Sequence, residues 1–408
     1  MTSCTPNTRA PVLGLAVCLA TLASHPAAAQ QTRAEQFQQQ RQEKTTRLQP
    51  YTRSRVESFL FTLEDTLLLE RVFNPPRGAF LRVGGLAEGA GFGAGPAYRA
   101  STPERVFTAS SAISTRGYWL AEATFVTPRR GRWFAELRAR RRELPQEDFF
   151  GSGPHSTSNS RTNFALRDTA LGGVAGVRIA SWMTAGGRLE HLAPRVGRGT
   201  DGRFPSSDRL FVEATAPGLS VQPDFLRVES FVRIESTDQP LNPRSGGRYL
   251  ISYQRYNDRD FDRYSFDRWE IDVQQFVPFL HGHRMLVLRG LLSTSDPKAT
   301  HEVPFYLQPT LGGAYSLRGF RAYRFRDRNL LLLQAEYRWE VNPFVTGALF
   351  YDAGTVAARR GDLDVTDLKR DYGFGLRLGS AAGVALRMDI AAGSGEGARL
   401  VVRFDDVF

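Results

Sequence analysis

From about Arg77 to Phe408, apolar residues recur at every second position and full charges occupy the positions between them. In 329–341, Leu331, Leu333, Ala335, Tyr337 and Trp339 alternate with Gln334, Glu336, Arg338 and Glu340. Val345, Gly347, Leu349 and Tyr351 likewise oppose Thr346, Phe350 and Asp352. Tyr372, Phe374, Leu376 and Leu378 oppose Gly373, Gly375 and Arg377, and Val384, Leu386, Met388 and Ile390 oppose Arg387 and Asp389. A strand sends successive side chains to opposite faces, so each segment has one oily side and one charged side. A soluble sandwich buries its oily side and scatters polar residues outside. Strand after strand of about ten residues with the charges on one face points instead to a closed antiparallel β-barrel in lipid, apolar outward and polar within.

The first residues agree with export. Arg9 is the only charged residue before Arg33, Val12 to Leu22 is a short apolar run, and Ala27-Ala28-Ala29 offers an A-x-A cleavage site before Gln30. This reads as a signal peptide over 1–29, too short to span a membrane by itself. The rival reading is a lipoprotein signal centred on Cys18; against it, Val17 precedes the cysteine and the apolar run continues past it. Both cysteines, Cys4 and Cys18, fall inside this segment, so the expected mature chain has no disulfide and no cysteine metal site. The net charge of +11 becomes +10 once Arg9 is removed. A basic balance often marks nucleic-acid binding. Here the arginines lie within the alternation, mainly on its polar face, and read as lumen lining and as partners for outer-membrane lipid headgroups, with no nucleic acid.

Residues 30–51 are rich in Gln, Arg and Glu and read as a periplasmic arm. In 54–73, Val56, Phe59, Leu60, Leu63, Leu67 and Val72 keep roughly helical spacing until Pro75-Pro76 stops the run, which predicts one amphipathic helix. It either plugs the lumen or lies on the inner leaflet, or it packs under the barrel mouth. The barrel then occupies 77–408. The alternation predicts sixteen strands, from 78–88 through 132–143, 183–194 and 344–353 to 398–406; the even number is what a bacterial barrel requires. Long connections (144–161, 195–223, 296–328 and 354–370) alternate with short ones, as external loops alternate with periplasmic turns.

The connection after the eleventh strand contains Gly312-Gly313, then Leu317-Arg318-Gly319-Phe320 and Arg324-Phe325-Arg326-Asp327. Glu336-Tyr337-Arg338 and Phe350-Tyr351-Asp352-Ala353-Gly354 follow in order, and Asp238, Pro240, Asn242-Pro243-Arg244 and Gly246-Gly247 form an earlier turn. Together these resemble the BamA/TamA superfamily of outer-membrane barrels, the bacterial surface antigens. That family has a [V/L]-R-G-[F/Y] signature on its sixth external loop, an E-[Y/F]-R strand, an F-x-D-x-G strand and a D-x-x-x-P-x-N-P-R-x-G turn. A connection of some thirty residues is of the functional kind. Asp352 and Glu336 both fall on the polar face, so a bidentate Arg318–Asp352 pair, joined by Glu336, would fold the loop into the barrel. As a two-membered pair, it predicts that the swap Arg318→Asp with Asp352→Arg restores part of what either change costs. The C-terminus, with Phe404 and final Phe408, resembles the insertion signal of such barrels, although Asp406 stands where an apolar residue is usual.

Other candidate motifs carry no chemistry. Gly89, Gly91, Gly93 and Gly95 lack the strand–loop–helix context of a nucleotide loop. Asp258, Asp260 and Asp262 suggest a calcium loop, but Arg263 and Trp269 replace its Gly and Glu. His281 and His283 have no further zinc ligands beside them, and Ser152 has no G-x-S-x-G frame. Asp148-Phe149-Phe150-Gly151 matches a recurrent family pattern and is expected in an aromatic girdle. No enzyme, metal or cofactor is expected. The resemblance implies a barrel that helps insert or translocate proteins or lipids, with client proteins or periplasmic partners; the alternative is a passive pore or structural barrel. The 47 residues of 30–76 are too few for one of the family's usual POTRA modules. A glycine-rich first strand against Leu400–Phe404 would make an openable seam.

Overall fold

The computed structural model describes residues 75–408 apart from 85, 128–130, 241, 281–282, 343, 381–382, 394 and 404–408. The signal segment, the polar arm, the amphipathic helix and the terminal Phe404 and Phe408 therefore lie outside the described residues.

The chain folds as sixteen long antiparallel strands, each hydrogen-bonded to its sequence neighbours. They are β1 (Gly78–Val83), β2 (Gly93–Ser101), β3 (Val106–Ser114), β4 (Trp119–Thr127), β5 (Trp133–Phe149), β6 (Thr162–Ala180), β7 (Met183–Arg198), β8 (Phe225–Glu235), β9 (Gly246–Asp258), β10 (Phe266–Phe279), β11 (Arg284–Pro297), β14 (Asn329–Asn342), β15 (Val345–Ala357), β16 (Lys369–Ser380), β17 (Gly383–Ala392) and β18 (Arg399–Arg403). A two-residue ribbon, β12 (Thr310–Leu311) with β13 (Phe325–Arg326), lies inside the long β11–β14 connection. All sixteen expected strands are present. Among the described residues no pairing joins β1 to β18.

Two boundaries differ for local reasons. β1 ends at Val83 rather than at 88, because Gly84 has φ +77° and its N–H turns back to the Gly93 carbonyl at 2.7 Å. β5 runs on to Phe149 instead of 143, past a register shift between Leu144 and Glu147 that accommodates Pro145. A proline has no N–H for the ladder, which is why it reads as a stop, yet a bulge tolerates it.

The alternation decides what each face meets. Leu81, Phe107, Leu137, Leu171, Leu189, Ile251, Leu333, Leu349, Phe374, Ile390 and Leu400 are exposed on the outer face. A soluble monomer does not display so continuous an apolar surface. On the inner face Asp168, Glu190, Gln254, Gln274, Gln334, Glu336, Arg338, Asp352, Arg377 and Arg387 are buried.

The larger apolar clusters occur at the end carrying the long connections, and a small one of Phe276, Met285 and Val287 lies by the short β10–β11 turn. Phe149 and Phe164 pack on Phe305 of the β11–β14 connection, with ring centroids 4.9 and 4.8 Å apart. Tyr118, Leu144, Leu166 and Tyr306 complete that cluster. Arg326 donates to the Phe305 carbonyl at 2.8 Å and faces the rings of Phe149, Phe164 and Phe305. Phe149 and Phe150 are both buried and do not form the expected girdle: Phe149 closes β5 opposite Thr162, and Phe150, past the strand end, lies against the Arg324 guanidinium.

Candidate functional site: a buried charge hub under the long loop

Leu317-Arg318-Gly319-Phe320 divides its side chains between two environments. Leu317 and Phe320 enter an apolar cluster with Leu311, Phe325, Leu330, Leu332 and Val356. A tight turn holds the tetrapeptide: Gly313 N–H lies 3.1 Å from the Leu317 carbonyl and Phe320 N–H donates to the same oxygen at 3.1 Å. Gly312 and Gly313 have φ of +106° and +101°, where L side chains are strained. Gly319 is required for closeness, since a Cβ there would sit 2.7 Å from Asp371 Cβ on the facing wall.

Arg318 points the other way and is fully buried. Its Nε and Nη2 donate to Asp352 Oδ2 and Oδ1 at 2.6 and 2.8 Å, a bidentate fork. Nη1 donates to Glu336 Oε2 at 2.8 Å and lies 3.5 Å from Asp389 Oδ2. The guanidinium stacks 3.5 Å from the Phe350 ring centroid. Burial works against this charge, but Asp352, Glu336 and Asp389 outweigh it and hold its pKa above the ordinary arginine value.

Arg318, Asp352 and Glu336, the three members expected from the sequence, do come together, and the structure adds more. Glu336 also accepts from Arg338 at 2.7 Å and Arg377 at 2.9 Å, with Arg387 Nη2 at 3.9 Å. Asp389 binds Arg377 at 2.5 Å and Arg387 at 2.6 Å. Gln334 joins Asp352 at 3.0 Å to the Ser316 carbonyl at 2.8 Å. The strands position all of this: Gln334 faces Asp352 in the β14–β15 register, and Gly375 faces Asp389 in β16–β17. Arg377, Arg387 and Asp389 could be placed on the polar face by alternation. Their sharing of one depth depends on register between strands, which period two does not specify.

A hub of this kind changes the charge-swap expectation. An aspartate at 318 would face Glu336 and Asp389 even with arginine at 352, so the double exchange should recover little. The check is to compare the urea midpoints of the single and double variants.

Two of the other motif turns are each organised by an aspartate. Asp258 organises the β9–β10 turn, accepting backbone N–H groups of Asp260, Phe261, Arg263 and Tyr264 at 2.9–3.0 Å. Asp238 Oδ1 similarly accepts from Gln239, Arg244 and Ser245 at 3.0, 2.9 and 3.1 Å. Burial alone would raise the Asp238 pKa, but these donors prevail and lower it. The turn is therefore at full strength above the ordinary carboxylate pKa and loosens as acid protonates Asp238. Hydrogen exchange at Arg244 and Ser245 should accelerate in acid relative to unstructured amides, and Asp238→Asn should remove the difference.

The Omp85 superfamily domain matches residues 225–401, which include every member of the hub. In fold the chain is similar to BamA from Haemophilus ducreyi, solved without POTRA domains 1–3, with a TM-score of 0.58 and 13% identity over 80% of this chain and 70% of that one. CdiB from Escherichia coli gives 0.51 and 12%, over 80% of this chain and 61% of that one. Comparison with curated proteins found no match. Matched domain, strand order and fold agree: residues 225–401 match the Omp85 superfamily domain, and the sixteen-stranded antiparallel sheet has a BamA-like fold.

Proposed function

We propose that this barrel assists the insertion or translocation of proteins or lipids at the outer membrane, through the seam between β1 and β18. The observation that carries the reading is that seam. Among the described residues β1 and β18 have no pairing with each other, while the other neighbouring strands are hydrogen-bonded throughout the sheet. An unpaired strand edge presents N–H and C=O groups that another chain can pair with. The hub supports the same reading, because it anchors the long loop to the β14–β17 wall and leaves the seam as the place where the wall can yield.

A passive pore is the competing class, and the aromatic cluster at the long-loop end speaks against a wide channel. In planar bilayers the protein should conduct weakly, and deletion of 298–328 should raise conductance. The decisive test follows the folding of an outer-membrane barrel client into vesicles with and without this protein. Accelerated client folding is expected. A large steady conductance without acceleration would favour the passive pore.

A further inference from the structure

The tip of the long loop touches both sides of the seam. From the first hairpin, in the β1–β2 connection, Glu88 Oε1 accepts the Tyr315 N–H at 2.9 Å. Its other oxygen packs so closely on Gly313 that a Cβ there would lie 1.7 Å from it. From the last strand, Arg403 places its guanidinium 3.5 Å from the Tyr315 ring centroid and donates to the Ala314 carbonyl at 3.2 Å. Gly313, Ala314 and Tyr315 therefore bridge two strands that make no ladder with each other among the described residues. The tip belongs to the same turn as Arg318, tied by the Gly313–Leu317 hydrogen bond.

We propose that Gly313–Tyr315 is a clasp across the seam, anchored to the first hairpin by Glu88 and to the last strand by Arg403. The clasp is a statement about this fold; that its release admits a client rests on the function proposed above. A loop fixed at its base by Arg318 and touching both edges at its tip sets how far the edges can part.

The clasp is sensitive to pH. Arg403 and Arg399 of β18, Glu147 of β5 and Tyr323 of the loop are the titratable groups facing Glu88. Burial pushes Glu88 up to about 7 from its ordinary 4.5, and the Tyr315 N–H and Arg403 oppose this only in part. The closed form thus binds the proton more tightly than a released one, so the contribution of Glu88 is complete below 4.5 and is lost as pH rises to about 7.

The test uses the full chain with Cys4 and Cys18 replaced by serine and spin labels at Leu81→Cys and Leu400→Cys, both on the exposed outer face. Glu88→Ala, Arg403→Ala and Tyr315→Ala should each lengthen and broaden the label distance distribution, with the Glu88/Arg403 double variant no broader than either single one. Raising pH from 6 to 8.5 should broaden it in the parent but not in Glu88→Gln. Unchanged distributions in folded Tyr315→Ala and Glu88→Ala would overturn the clasp; Tyr315 is on an exposed loop, so that variant decides the matter if Arg403→Ala does not fold. Broadened distributions with no change in client folding would leave the clasp standing and remove the functional reading.

Discussion

Replacing Arg318 with alanine should lower the stability of the barrel by about 3–5 kcal/mol, the cost of breaking a buried ion pair and stranding its partners. The guanidinium meets Asp352 twice, Glu336 once and Asp389 at 3.5 Å, and all four side chains are buried away from water. Its loss leaves Asp352 held by Gln334 at 3.0 Å. Arg318→Lys keeps a charge but lacks the planar fork, so it should recover a minor part of the loss. Urea titration of the heat-modifiable gel shift measures both. An Arg318→Ala midpoint equal to the parent's would show that the loop is not anchored through this residue.

Glu336→Ala should cost at least as much. One carboxylate receives Arg318 on one oxygen and Arg338 and Arg377 on the other, with Arg387 close by. Without it four guanidiniums crowd one space, with Asp352 and Asp389 among the carboxylates still beside them. Like charges in a low-dielectric interior repel strongly. Glu336→Gln preserves volume and one acceptor, so its loss should be smaller than that of alanine. The two alanine changes should not add: the Arg318/Glu336 double variant should fall short of the sum by roughly 0.5–3 kcal/mol, as residues of one network do. Strict additivity would mean that the two act independently.

Much of this was legible in the residues. Period two located all sixteen strands and told inside from outside, because a lipid-facing position and a lumen-facing one demand opposite chemistry. Arg318, Asp352 and Glu336 are marked as one group by the resemblance of their motifs. Arg377, Arg387 and Asp389 were visible as polar-face residues but not as neighbours, since the stagger of adjacent strands arises from closing the whole sheet. Alternation puts Phe149 and Phe150 on opposite faces; both are buried because β5 ends at Phe149 and Phe150 begins the connection, where period two no longer applies.

Every partner of Arg318 lies later in the chain than Arg318 itself: Glu336 in β14, Asp352 in β15 and Asp389 in β17. During biogenesis Arg318 therefore lacks its full set of carboxylates until the penultimate strand has arrived. Seating of the arginine works as a completion check, reached only by polypeptides whose closing hairpin is in place. Prematurely terminated products would keep that loop open to proteases and would be distinguishable from finished ones.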